Sequence, residues 1–579
     1  MVEAPAVWVV DTEFTHYPTG LPRVVCMCGR ELYSGRTFSL WADEIDDKPP
    51  YDIGPNSIFV GYSITEAELA VHLALFGEPQ PVRVVDLMTE YRMAINGRGG
   101  NQGLKMLEAC IRVGVTPRVT LAEKDRLRKR IIAGFPFSEA ERAEIKPYCM
   151  GDVDDESEIL LALQRLGFKP LSEHAVWRGE FIKSVARMWY RGVPIDPQYV
   201  SLATDPAARL GLKQKLISDI RTDFPIYDDN LVLKDDLLSK FYIAHNISPP
   251  LTPGGKPSSS ADALGTLARN YPILGPLNEA LHTQRQLKDF SLPVGSDGRL
   301  RAWFAPFLTI TSRAAPPTNG YIYNLPAWMR STMMPAPGSA LAYLDFSGME
   351  FGLAACCSGD PNKIAFYKSG DPYIATAIAA GVLPEDATKR SHKSERDLYK
   401  TGCLACLYGI GIVTLALRLK RSELFASNFL RMHHELFWRY WEWSDAVVAE
   451  AISRGEYVSR HGWRYTVRPG VNVRSLRNWP IQTLGAEILR CACIWADQLG
   501  IEMLATAHDA ILIQAPERRI EQDAERMSEC MRRAARLLTG GFELRVDHEV
   551  KRQGERFTEE RGRRTLAVVD QFLREQVHA

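Results

Sequence analysis

The chain has 579 residues, 46% of them hydrophobic, and its 70 Lys and Arg balance 70 Asp and Glu to a formal net charge of zero. That length supplies several folded domains, while the charge balance excludes a globally basic coat, so any positive surface for a polyanion has to be local. The 11 cysteines form no regular framework, which excludes a disulfide scaffold and points to a reducing compartment, and no apolar run approaches the roughly 20 residues of a membrane span.

Ala6-Val7-Trp8-Val9-Val10 predicts a strand, and it delivers Asp11-Thr12-Glu13, two acids one residue apart. Further on, Glu68 precedes an amphipathic helical run of Leu69, Leu73 and Phe76. Glu66 competes with Glu68 as the acid of this segment, whereas Asp86 in Val84-Val85-Asp86-Leu87 reads as structural. Tyr148 and Asp152 stand four residues apart on a predicted helix. From Ser172 to about Arg299 the pattern is mainly helical, broken by turn-rich stretches at 249–260 and 293–298.

Ala340 to Leu344 predicts another strand ending in an acid, Asp345, followed by Phe346-Ser347-Gly348-Met349-Glu350. Glu395 to Leu407 predicts a helix that carries Arg396, Lys400 and Leu404 and stops at Tyr408-Gly409. Offsets of four and twelve turn Lys400 and Tyr408 by roughly 40° and 120° from Arg396, so two cations and an aromatic ring can share one face. Arg474, Asn478 and Gln482 recur every four residues, but Pro480 predicts a helix start and therefore two separate segments. Met503 to Ala507 and Ile511 to Ile513 predict a β-hairpin with His508-Asp509 near its tip. Strand-borne carboxylates suit Mg²⁺, which is usually held by one or two of them; Arg offers phosphate a planar fork and Lys a point charge.

Asp345, the Arg396-x3-Lys400-x7-Tyr408-Gly409 element and Asp509, in this order, resemble motifs A, B and C of a family A DNA polymerase, the polymerase I-like group. The resemblance implies attack of a primer 3′-hydroxyl on a deoxynucleoside triphosphate, assisted by two Mg²⁺ ions roughly 3.5–4 Å apart, for which Mn²⁺ can substitute. It makes Asp345 and Asp509 the metal ligands, gives Arg396 and Lys400 to the triphosphate, places Tyr408 at the nascent base pair and sets His508 near the primer end. Glu350 looks like the steric gate against a ribose 2′-hydroxyl. Leu404 stands where the family usually has an aromatic residue, and Ala510 where a Glu usually follows His-Asp. Thr311-Ser312-Arg313 and Asn324-Leu325-Pro326 resemble the family's Thr-Gly-Arg and Asn-Ile-Pro elements. Arg313, Arg474, Asn478 and Gln482 are thereby assigned to the primer-template, whose minor-groove acceptors are largely shared among base pairs.

Asp11-x-Glu13 and Tyr148-x3-Asp152 resemble the first and third motifs of DnaQ-like 3′–5′ exonucleases. The implied site has Asp11, Glu13, Glu68 and Asp152 on two Mg²⁺ ions, with Tyr148 orienting the attacking water. Glu68 fills a middle motif from which the usual Asn-x3-Asp is absent.

The expected fold class is α/β multidomain. An RNase H-like exonuclease domain covers 1–170, connection and thumb 171–299, and a palm 300–579 with fingers inserted at about 360–450. Asp11 lies almost at the start, so no 5′-nuclease domain is expected ahead of it, which gives a phage-type layout. The expected protein is a cytoplasmic DNA polymerase with 3′–5′ proofreading, in a bacterium or a phage-infected host. It would act on primer-template DNA and dNTPs, with room for replication accessory proteins and no membrane partner. A polymerase with an inactive exonuclease, a single-subunit RNA polymerase and a noncatalytic DNA-binding relative are the rival readings. Cys403-x2-Cys406 and His433-His434 read as packing rather than zinc ligands, and the clusters at 126–130 and 532–536 as solvated helix faces.

Overall fold

The computed structural model describes residues 5–99, 103–252, 254–288, 292–316 and 320–578. Val7, Val9 and Val10 are all buried, which suits an interior strand covered on both faces. Strand β1 (Ala6–His16) is central in a five-stranded sheet with β2 (Pro22–Glu31), β3 (Thr37–Trp41), β4 (Ser57–Gly61) and β5 (Val84–Asp86), in the order β3-β2-β1-β4-β5. It runs antiparallel to β2 and parallel to β4. The strand outlasts its apolar run, so Asp11 and Glu13 lie inside it, and the register slips between Glu13 and Phe14.

Helix α1 (Glu68–Leu75) follows β4, and α2 (Leu121–Ala133) and α3 (Glu139–Arg165) follow β5. The start of α3 is fixed by a capping box: the Ser138 hydroxyl accepts from the Glu141 N–H at 3.3 Å, and the Glu141 carboxylate from the Ser138 N–H at 2.7 Å. α3 then lies across β1 and β2 and buries Tyr148, Cys149 and Val153.

Helix α4 (Glu173–Arg191) joins the two halves of the molecule, packing on α1 and β5 and also on the carboxy-terminal elements. Gly179 permits its approach to β5, since a Cβ there would sit 1.8 Å from the Val84 carbonyl oxygen. Next to it, Arg178 forks onto Glu90 with bonds of 2.7 and 2.6 Å, and a third bond of 3.0 Å reaches the His461 carbonyl. Residues 197–288 are helices and connections around their own core of Leu238, Phe241, Leu264 and Leu277.

The second large sheet contains β6 (Ser339–Phe346), β7 (Glu502–Ala507), β8 (Ala510–Pro516) and β9 (Val546–Lys551), all antiparallel in the order β7-β8-β6-β9. Helix α5 (Lys393–Leu407) matches the expected span with two further residues at its start. The break expected at Pro480 does not occur: α6 (Val473–Gln498) runs straight through it. Pro480 has no N–H for the Leu476 carbonyl one turn back, and the Tyr457 hydroxyl donates to that carbonyl instead, at 3.1 Å. Arg474, Asn478 and Gln482 therefore share one side of a single helix.

A lysine is sealed inside this half. Lys363 is fully buried, its ammonium 4.4, 3.9 and 4.8 Å from the ring centroids of Phe351, Phe437 and Tyr440, and it has no hydrogen-bond acceptor among the described residues. Burial pushes it down to about 8. The folded chain thus releases this proton more readily than the unfolded chain, so the cost is complete below about pH 8 and relieved as pH rises toward the unfolded value of roughly 10.4. Lys363→Met is expected to stabilise the protein at pH 7 by about 1–3 kcal/mol, the rings' attraction for the cation offsetting part of the gain, and to flatten the rise in stability between pH 8 and 10. Urea midpoints of both chains across that pH range check it; a less stable variant at pH 7 refutes it.

Candidate active sites

Two acidic centres emerge, one on each large sheet. On the carboxy-terminal sheet, β7 and β8 are joined by the two-residue turn His508-Asp509, with His508 left-handed at φ 55°. The turn docks on β6, where the Phe346 N–H reaches the Asp509 carbonyl at 3.4 Å and Ala510 lies opposite Asp345. Asp345 and Asp509 thus meet although far apart in sequence. Burial, then the charge of Asp509 and a hydrogen bond with it, push the Asp345 carboxyl up to about 7, while Lys400 pulls it down. Burial also raises Asp509, against the lowering charge of Arg313. On the other side of Asp345, β9 sets Asp547 directly opposite, where it accepts a hydrogen bond from the Ser347 hydroxyl.

Four of the residues singled out from sequence form one network beside this pair. The Tyr408 hydroxyl donates to one oxygen of Glu350, and the Gln482 amide donates to the other at 2.6 Å and to the Tyr408 oxygen at 2.8 Å. Arg313 adds an ion pair to Glu350 at 3.6 Å. Burial and the Glu350 charge hold the Tyr408 proton on firmly. The backbone before Arg313 is anchored by a buried cation: Ser312 is left-handed at φ 61°, and its carbonyl and hydroxyl accept from Arg490 at 2.7 and 2.9 Å.

The remaining residues sit around this core. Arg396 is turned onto Asp371 at 2.8 Å and Asp397 at 3.1 Å, over the Tyr373 ring. Lys400 is exposed and Leu404 half-buried on the same helix α5. Arg474 is exposed and lies against Gly409 and Gly411; Asn478 is half-buried, its carbonyl oxygen without a partner among the described residues. His508 is exposed at the turn.

At the amino-terminal centre, one ligand oxygen from each of Asp11, Glu13 and Asp152 lies within 4.8 Å of the others, and no other such group was found among the described residues. Burial, then the Asp152 charge, push Asp11 up to about 7; burial and Asp11 hold Glu13 well above the usual carboxylate range. Glu68 lies next to this triad rather than in it: one oxygen accepts from the Thr12 N–H and hydroxyl at 3.3 and 3.2 Å, and the other is buried without a donor. Glu66 is pushed up to about 8 by burial alone. Asp86 caps a helix, accepting from Met88 N–H, the Thr89 hydroxyl and Ser63 N–H. Tyr148 sits one turn before Asp152 on α3, buried, with its proton held by desolvation.

Sequence reasoning missed three residues here. Glu156, one turn beyond Asp152, is buried with one oxygen bonded to Tyr62 N–H at 3.1 Å and the other unpaired. Its signal was the spacing of four that links Tyr148, Asp152 and Glu156. Lys124 donates to Asp152 at 2.6 Å with its ammonium 5.3 Å from the Tyr148 ring centroid, and nothing in its local sequence marks it. Asp547 becomes visible only through strand register. Asp11, Glu68, Asp152 and Glu156 each keep one buried carboxylate oxygen without a donor among the described residues. Such oxygens are costly to leave bare, and a hard divalent cation suits an all-oxygen set of this kind.

Of the residues read as packing, Cys403, Cys406 and His433 are buried, with the Trp441 indole donating to His433 at 3.2 Å, whereas His434 is exposed and stacks on the same indole with ring centroids 3.8 Å apart. The basic helix faces are ion-paired to neighbouring acids, Arg126 to Glu144, Arg532 to Glu525 and Arg536 to Glu529. No helix of the described residues is long and apolar enough to cross a membrane.

The profile of DNA polymerase family A matches residues 236–556, more than half of the chain. DNA polymerase I of Aquifex aeolicus is 24% identical over 437 residues, covering 71% of this chain and 71% of its own length. The thermostable DNA polymerase I of Thermus thermophilus is 27% identical over 307 residues, covering 48% of this chain, which spans 36% of that enzyme's length. The fold is similar to the POL domain of Pol1 from M. smegmatis, solved in complex with DNA primer-template and dNTP, with TM-score 0.68, 18% identity and coverage of 94% of this chain and 95% of that one. The chain belongs to DNA polymerase family A.

Proposed function

We propose that the chain is a template-directed DNA polymerase that adds dNTPs to a primer 3′ end, with a 3′–5′ exonuclease in its amino-terminal sheet. The observation that carries the polymerase reading is the meeting of Asp345 and Asp509 on one sheet, with the charge of Lys400 reaching Asp345 from α5. Divalent ions held by these acids would supply charge stabilisation to the entering and leaving oxygens of phosphoryl transfer. Lys400, with Arg396 released from Asp371, would bind the triphosphate and orient it for in-line attack. Tyr408 and Glu350 form the floor under the nascent pair, and with both Glu350 oxygens tied down its position is fixed enough to refuse a 2′-hydroxyl. Arg313, Arg474, Asn478 and Gln482 would grip the duplex, and His508 the primer end.

The strand order β3-β2-β1-β4-β5 with two central acids supports reading residues 1–170 as an RNase H-like exonuclease. Residues 171–299 would then be the connection and thumb, and 300–579 the palm on the second sheet with the fingers inserted at about 360–450. In the nuclease, Asp11, Glu13 and Asp152 would hold metal and Tyr148 orient water, while Glu68 fixes the backbone of β1 through Thr12.

Primed template with dNTPs and Mg²⁺ should be extended, and Asp345→Ala should cost roughly three orders of magnitude or more in rate, on the scale of several kcal/mol of lost charge stabilisation. Extension at the parental rate by that variant would remove the reading. Glu350→Ala should lower discrimination against rNTPs by about 10–100-fold in competing incorporation assays, equivalent to roughly 1.4–2.7 kcal/mol. Unchanged discrimination excludes the gate, and preference for rNTPs in the parent chain favours the RNA polymerase alternative. Degradation of labelled single strands should vanish with Asp152→Asn and fall with Glu68→Ala; a Glu68→Ala chain as active as its parent leaves Glu68 without a role there.

A further inference from the structure

We infer that the amino-terminal site holds one divalent ion rather than two, the Lys124 ammonium standing in the place of the second. The inference rests on the nuclease reading above. Thr120 caps α2 through a capping box with Glu123, with bonds of 3.3 and 2.9 Å, and this sets Lys124 in the first turn of a helix that packs on β1. From there the side chain passes the Tyr148 ring and ends on Asp152 Oδ2 at 2.6 Å. The lysine side chain is only 23% exposed and its aspartate partner 6%, so this is an interior pair and not a solvated surface contact.

Oxygen accounting at the site leads to the same count. Asp152 gives Oδ2 to the ammonium and keeps Oδ1 bare, and Asp11 keeps Oδ2 bare; Glu68 and Glu156 also keep one bare oxygen each, but among the described residues only the ligand atoms of Asp11, Glu13 and Asp152 converge within 4.8 Å of one another. That set suits one hard cation. A second ion using Asp152 would have to share Oδ2 with the ammonium 2.6 Å away, and like charges that close repel strongly. Lys124 thus offsets part of the charge of the acids packed around it, and permanently, because it belongs to the fold.

The test counts metal directly in the full chain carrying Asp345→Asn and Asp509→Asn, so that the palm pair does not contribute. Titration with Mn²⁺, reading the free ion by its electron paramagnetic resonance signal, should give one tight site in this parent. Lys124→Met should gain a second site at least tenfold tighter than any second binding in the parent, and Lys124→Arg, which keeps the charge, should stay at one. In the chain with the palm carboxylates restored, the dependence of single-strand degradation on Mn²⁺ should change from first order to second order with Lys124→Met. Two tight sites in the parent, or no gain with Lys124→Met, overturn the inference. If Asp11→Asn with Glu13→Gln leaves Mn²⁺ binding unchanged, these carboxylates are no metal site, and the nuclease reading falls with it. Matching melting curves for the Met and Arg variants separate charge from misfolding.

Discussion

Carboxylates packed against one another away from water are the constraint on which the rest of this molecule turns. Each gains little by being there, since burial and mutual repulsion both oppose ionisation, as the raised Asp11 and Asp345 carboxyls record. What forces them together is sheet register set by apolar neighbours. In β6, Leu341 and Ala342 are buried and Leu344 and Phe346 flank Asp345 in the core, so a slip of one residue would drive the acid inward and expose its neighbours. β1 does the same for Asp11 and Glu13 with Val7, Val9 and Val10. The hydrophobic cores supply the free energy that keeps like charges adjacent.

Both sheets are also tied to each other through α4, which buries Phe181, Ile182, Val185 and Ala186 in the largest core. Its Arg178–Glu90 pair is interior, with side chains 3% and 2% exposed, and its bond to the His461 carbonyl reaches into the carboxy-terminal half. Removal of one partner of such a pair leaves a bare buried charge, so the joint resists sliding more than apolar packing alone would. The close approach at Gly179 adds a steric limit of the same kind. These contacts give the amino-terminal acids and the acids of the second sheet a shared frame.

Much of this was legible in the sequence because strand-ending acids and a four-residue helical repeat are local signals. Asp345, Asp509, Tyr148 and Asp152 lie on the kinds of element their neighbours predicted, and Arg313, Glu350, Tyr408 and Gln482 come together as one network. The continuity of α6 was not legible, because the donor that replaces the missing Pro480 N–H comes from Tyr457, on a different element. Lys124 and Asp547 escaped for a related reason: each faces its acid only after a helix has docked or a strand has paired, and neither stands in a motif. Glu68 was found by its place before an amphipathic helix, but its bonds to Thr12 place it beside the triad, a distinction that spacing does not carry.

The acids differ in how their lone pairs are used, and that difference sorts their chemistry. Glu350 has donors on both oxygens, from Tyr408 and Gln482, with Arg313 beside them, so it has little to gain from a metal and is held as a shape. Asp11 and Asp152 instead keep a buried oxygen with no donor among the described residues, and Lys124 brings a cation to the cluster around them. A carboxylate already satisfied by the fold is held in place, whereas one left short of donors is relieved by taking up a proton or a cation. Glu350 and the pair Asp11 and Asp152 are therefore distinguished less by where they sit than by which of their oxygens the described residues leave unpaired.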